Sequence, residues 1–417
     1  MPMSPNVFDA PSKGHRSELM STEKIKGLLR QGVKIQNPAT VAIAPEIEDV
    51  RIANRGVVIH SGCRISGKHT WISAGAKIGT AGPAIIENCQ IGPGVDLQSG
   101  FFKDSVFLAG SRCGPGSHVR EGTILEEQAS IAHTVGLKQT ILFPFVTLGS
   151  LINFCDCLMA GGTSRNNHSE VGSSYIHFNF TPSQDKATAS LIGDVPRGVM
   201  LNQPPIFLGG QGGMVGPLRL NFGTTVAAGT ILRKDELRPN RLIYGGAAKG
   251  GNIEYRPGRS SGASRIIKNN LVYIGNLMAL SQWYREIRKL FVSAEFPEAI
   301  LEGLALTVHR AIEERMRRLG ELAEKKKDGG DMTLSAAWPV LEEKLMRQCD
   351  CLGENRTLDS FKEIMASKIS REGKDYMVVL RALSLEEAGL GTTWLQGIVD
   401  QAVAEASQAI KHYAGPT

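Results

Sequence analysis

Residues 107–137 read FLAGSRCGPGSHVREGTILEEQASIAHTVGL, and every sixth position holds an apolar side chain: Phe107, Cys113, Val119, Leu125, Ile131 and Leu137. A period of six matches neither the roughly 3.6 residues of a helical turn nor the simple alternation of an ordinary strand. It fits a short strand followed by a corner, with one apolar group pointing inward per unit. Corners need residues that tolerate positive φ. The sequence supplies Gly114-Pro115-Gly116 directly after Cys113.

The same step runs outward in both directions. Upstream lie Val41, Ile47, Ala53, Ile59, Ile65 and Trp71; after a one-residue slip come Ile72 and Ile78, then Ile85, Ile91 and Leu97. Gly92-Pro93-Gly94 follows Ile91 as another corner. Downstream lie Val146, Ile152 and Leu158, then Leu208, Met214, Leu220, Val226 and Leu232. Residues 40–235 are therefore expected to form a left-handed parallel β-helix of hexapeptide repeats, making the fold mainly β.

The flanks read differently. Residues 1–39 form an N-terminal cap, with a helix expected over 18–31 to cover the open end of the solenoid. Residues 236–275 are glycine- and arginine-rich and read as an extended connector. From 276 to 417 the spacing turns helical: Leu301, Leu304, Val308, Ile312, Leu319 and Leu322 share one helical face. Between Leu158 and Leu208 the hexad lapses into a stretch rich in polar, aromatic and proline residues, the usual place for function on a repeat scaffold.

Composition narrows the classes. The chain has 417 residues, 42% of them apolar, which excludes global disorder. Glycine reaches 47 residues while aromatics make up 6%, as tight-turning repeats require. Basic residues exceed acidic ones by 47 to 41, and the excess is spread along the chain. Lys325, Lys326 and Lys327 read as a solvated helix end, so no nucleic-acid partner is expected. No apolar run approaches the roughly 18 residues of a membrane span. The seven scattered cysteines read as free thiols. The N-terminus has no apolar signal core, and a cytoplasmic location is expected.

Residues 171–235 carry a resemblance. Phe178-Asn179-Phe180-Thr181 is followed by Lys186, Leu191-Ile192-Gly193-Asp194, Gly216-Pro217 and Val226-Ala227-Ala228-Gly229-Thr230. The order resembles the acetyltransferase domain of the bifunctional enzyme that makes UDP-N-acetylglucosamine. That domain has an Asn-Tyr-Asp-Gly loop, then Lys-Thr-x-Ile-Gly-Asp, Ala-Pro and Ala-Ala-Gly-Thr. The whole chain resembles bacterial UDP-N-acetylglucosamine pyrophosphorylase-related proteins. The glycine-rich nucleotidyltransferase signature is absent, so pyrophosphorylase activity is not expected. The family's Lys-Ala-Gly-His has its nearest counterpart in Ser164-Arg165-Asn166-Asn167-His168, closer to Asn179 than in the family.

The resemblance implies acyl transfer, most simply of acetyl from acetyl-CoA or another acyl-CoA, to a sugar phosphate or nucleotide sugar, in a homotrimer. His168 is the candidate general base, since proton removal near neutral pH suits an imidazole; the other reading is an ordinary polar surface histidine. His177 is its rival, either at the site or packed and hydrogen-bonded. Asn179 and Phe180 stand where the family contacts donor and acceptor. Arg165, Lys186 and Arg197 supply cations for phosphate, or are solvated charges. Gly210, Ala227 and Ala228 are small residues against which a CoA would lie, or corners that simply fit. No metal is expected, because no His pair has suitable spacing. The competing reading is a catalytically silent sugar-nucleotide-binding or scaffold protein.

Overall fold

In the computed structural model, which describes residues 23–178, 186–245, 263–328, 333–350 and 355–413, the repeats wind into a parallel β-solenoid. One wall is an 11-stranded ladder that begins at Lys34–Ile35 and ends at Leu242–Ile243. Its inward column runs Ile35, Ile59, Ile78, Leu97, Cys113, Ile131, Leu148, Val171, Leu208, Val226 and Ile243, each paired with the next in parallel register. A 16-stranded sheet makes the other two walls. They are joined where Gly136–Leu142 and Asn153–Met159 run round the corner between them. Gln139 and Asp156, with φ of 50° and 59°, make that bend.

Stacking coils bury one aliphatic column per wall, which is the main favourable term in such a fold. The two Gly-Pro-Gly motifs show how corners permit it. Gly94 and Gly116 take φ of 64° and 70°, where a Cβ is strained. Gly114 meets the next coil so closely that a Cβ would stand 2.7 Å from the Ala132 carbonyl carbon.

All six positions of the 107–137 series are buried. Upstream the phase differs by one residue in three coils. Ile52, Ile72 and Ile86 point inward, whereas Ala53 and Trp71 are half-buried and Ile85 is exposed. The coils there do not all have the same length, and the Gly79–Pro83 turn shifts the register before the Ala84–Glu87 strand.

Helices flank the solenoid. Helix α1 covers 23–31 and buries Ile25 and Leu28. A short α2 (Val195–Gly198) interrupts the irregular segment, capped by the Asp194 side chain. The C-terminal region comprises α3 (Ala263–Glu286), α4 (Glu298–Asp328), α5 (Thr333–Asp350), α6 (Arg356–Glu372), α7 (Tyr376–Arg381) and α8 (Leu385–Tyr413). It packs on the third wall, with α4 against Gln90–Ile91, Ser105–Phe107 and Thr123–Leu125, and α3 against Ser190–Ile192. Helix α3 starts earlier than the apolar spacing from Asn276 indicated. Its first turns bury Asn269 and Asn270, which bind solenoid groups instead of showing an apolar stripe. No described helix is long and apolar enough to cross a membrane.

Candidate functional site

The irregular segment leaves the solenoid after Met159 and forms a small antiparallel hairpin, with Gly162 opposite His168 and Ser164 opposite Asn167. A Cβ at Gly162 would stand 2.6 Å from the His168 Cα, so this pairing requires glycine. His168 Nδ1 lies 2.7 Å from the Arg165 carbonyl oxygen. A carbonyl only accepts, so Nδ1 carries a proton, and in the neutral ring Nε2 is the nitrogen with the free lone pair. Glu170 Oε2 stands 3.9 Å from that Nε2. The ring is about one-fifth exposed.

Arg165 straps this hairpin to the solenoid. Its Nη1 donates to the carbonyls of Gln128 and Phe145 at 3.0 and 2.9 Å, and to Thr147 Oγ1 at 3.1 Å. On the other side Arg381, at the end of α7, donates to the Thr163 carbonyl at 3.3 Å. Below the hairpin, Ser169 Oγ donates to the Ala160 carbonyl and accepts from the Ile206 amide. The histidine is thus presented on a fastened excursion, not on a loose loop.

His177 is elsewhere. It sits on an inward position of the second wall, paired with Met214 and buried. Its Nε2 lies 2.9 Å from Ser190 Oγ, and Ser190 Oγ also accepts from the Leu218 amide. Burial in the solenoid pushes its pKa down to about 4. Asn179 and Phe180 lie outside the described residues. Lys186, where description resumes, is exposed.

Arg197 closes onto its own helix cap, pairing with Asp194 and donating to Asn221 Oδ1 at 2.9 Å, with its guanidinium 4.8 Å over the Phe222 ring. Gly210, Ala227 and Ala228 belong to stacked corners after the strands of the 11-stranded wall. A Cβ on Gly172 would fall 2.4 Å from the Gly210 amide nitrogen, and one on Gly209 equally close to that of Ala228. Ala228 itself is exposed. The structure therefore joins His168, Arg165 and Glu170 in one unit. It puts Arg197 with α2, the small residues at another corner, and His177 inside.

Sequence reasoning passed over a buried polar cluster where the helices meet the solenoid. Glu126 accepts from the Tyr284 hydroxyl, and Glu127 Oε1 accepts from Arg288 Nη2 at 2.5 Å. Arg315 Nη2 lies 2.8 Å from Asp156 Oδ1. The only signal was a Glu-Glu pair beside the inward Leu125, which in isolation reads as a solvated corner.

Cys63, Cys89, Cys113, Cys155 and Cys157 are free thiols. Burial pushes the Cys89 thiol up to about 12, which makes it a poor nucleophile.

No family model matches the chain. It is similar to bifunctional GlmU proteins: 29% identical over 204 residues to that of a Cyanothece species, covering 49% of this chain and 40% of the relative. It is 26% identical over 218 residues to that of Thermotoga petrophila, covering 52% and 43%. Against that of Acinetobacter baumannii it is 27% identical over 239 residues, covering 55% and 46%. The chain spans less than half the length of these relatives. About half of this chain, wound as a parallel β-solenoid, is thus similar to the bifunctional GlmU proteins, in keeping with the acetyltransferase resemblance of residues 171–235.

Proposed function

We propose that the protein transfers an acyl group, most simply acetyl, from an acyl-CoA to a sugar phosphate or nucleotide sugar. The observation that carries this reading is the fixed tautomer of His168. With Nδ1–H committed to the Arg165 carbonyl, Nε2 is the basic nitrogen. It takes the proton from the acceptor amine or hydroxyl as that group attacks the thioester carbonyl. Glu170, 3.9 Å away, then stabilises the imidazolium. The thiolate of CoA leaves and is protonated in turn.

The other roles follow the resemblance. Asn179 and Phe180 contact acceptor and donor, and Lys186 and Arg197 meet phosphate. The remaining donors of Arg165 face the same task. Gly210, Ala227 and Ala228 offer a surface without bulky side chains for CoA. His177, neutral and enclosed, holds the second wall together from inside. A homotrimer in the cytoplasm completes the proposal, and no nucleotidyl transfer is expected.

A second reading is a sugar-nucleotide-binding or scaffold protein without turnover. It is favoured by the engagement of Arg165 and Arg197 in holding the fold. Thiol release from acetyl-CoA, followed over a panel of amino sugars and sugar phosphates, separates the two. His168→Ala lowers turnover by about 10²–10⁴-fold if His168 is the base. Ligand-dependent thermal stabilisation without thiol release supports the binder and refutes the enzyme.

A further inference from the structure

The 11-stranded wall ends at Leu242–Ile243, whose one strand partner among the described residues is Thr225–Val226. Along this wall each coil donates forward to the next from the same two positions. The Asp96 and Gln98 amides bond the Ser111 and Cys113 carbonyls, and the Thr225 and Ala227 amides bond those of Arg241 and Ile243. Leu242 and Tyr244 occupy these two positions on the last coil. Their amides therefore point past the end of the ladder, two residues apart, as the carbonyls of one further strand would require. Natural sheets seldom leave such an edge unguarded.

The side chains around the edge select among partners. Leu242 and Tyr244 are 64% and 77% exposed. Leu242 shares the outer face of the wall with the exposed Phe207, in register through Thr225. Ile231 and Leu237 of the same last coil are exposed as well. Among them stand four exposed cations, Arg233, Lys234, Arg238 and Arg241. The two carboxylates of this coil are engaged: Asp235 accepts from the Arg219 amide and from Asn269, and Glu236 accepts from Arg238. The last coil thus turns apolar side chains and net positive charge outward. A second copy of this chain would bring the same cations against these and be repelled, whereas a strand carrying carboxylates is attracted.

We infer that the C-terminal edge of the solenoid docks an extended acidic segment of another protein, which adds a strand at 242–244 and sets its carboxylates against Arg241 and the neighbouring cations. The inference is independent of acyl transfer, because binding alone is its readout.

Fluorescence anisotropy of the peptide fluorescein-Asp-Val-Glu-Val-Asp-Val-Glu-amide, titrated with the full chain, tests it. Saturable binding is expected, weakening about tenfold when about 0.5 M NaCl screens the charges. The peptide with lysine at every acidic position does not bind. Leu242→Pro weakens binding about tenfold or more, because proline removes one outward amide and its ring stands in the path of the strand, while an edge strand tolerates it. Arg241→Glu leaves the backbone intact and weakens binding about as much; it decides the matter if Leu242→Pro fails to fold. Absence of saturable binding overturns the proposal. So does equal affinity for the lysine peptide, or unchanged affinity in a folded Leu242→Pro or Arg241→Glu protein. Binding to phosphatidylglycerol vesicles without binding of the peptide gives the surface to a membrane and equally overturns it.

Discussion

At the scale of single residues, two histidines separated by nine positions have opposite settings. His168 is fastened through Nδ1, with Glu170 Oε2 3.9 Å from its Nε2 and about one-fifth of its side chain exposed. His177 fills an aliphatic column and is neutral because burial penalises its charged form. Alternation along a strand cannot distinguish them, since an inward histidine and a site histidine look alike in sequence. The close packing around His177 makes Gly216 unreplaceable. A Cβ there would stand 2.0 Å from the Thr188 carbonyl oxygen and 2.6 Å from His177 Nε2. Gly216→Ala is expected to cost about 3 kcal/mol, read from denaturant midpoints. A stability within experimental error of the parent refutes this packing.

At the scale of elements, the hexad phase is open to direct test. Ile86 is completely buried and Ile85 is 40% exposed, although the simple step of six selects Ile85. Ile86→Ala is expected to cost about 2–5 kcal/mol. Ile85→Ala is expected to change stability by less than about 1 kcal/mol. Equal losses from the two substitutions, measured by urea unfolding, contradict the register. The cause of the slip is local: a corner one residue longer or shorter moves every later inward position by one. The helices show the complementary case. The apolar stripe of α4 reads directly as a helix, and Leu304, Val308, Ile312 and Leu319 are all fully buried. The start of α3 escapes the same test because Asn269 and Asn270 face the solenoid through hydrogen bonds.

At the scale of the molecule, the joint between helices and solenoid sets a pH response. Burial pushes the Glu126 carboxyl up to about 8, with the neighbouring Glu127 charge adding to it. The native protein then holds a proton that the unfolded chain releases above its ordinary value of 4.5, so stability falls as pH rises from there to about 8. His177 works the other way. Below its ordinary 6.5 the unfolded chain takes up a proton that the native state refuses until about pH 4, so stability falls as pH drops through that window. Each slope is about 1.4 kcal/mol per pH unit. The two cancel where the windows overlap. Glu126→Gln is therefore expected to remove the decline between pH 6.5 and 8 in a series of denaturant titrations. His177→Gln, by the same measurement, unmasks a decline with rising pH between 4.5 and 6.5. An unchanged profile in either variant speaks against the buried setting of that group.

The amino-acid sequence by itself determined the solenoid, its corners and the amphipathic character of the C-terminal helices. These are periodic and local, and each inward aliphatic or corner glycine states its requirement within a few residues of chain. It also marked the irregular segment that carries His168, because a lapse in a repeat is visible against the repeat. Only the tertiary structure decided that Arg165 fastens the His168 hairpin to neighbouring coils, that His177 lies inside, and that Glu127 meets Arg288 across 161 positions. Such contacts depend on which wall the helices cover, and buried charges follow no period. Their partners are chosen by packing and desolvation, which no single stretch of chain encodes.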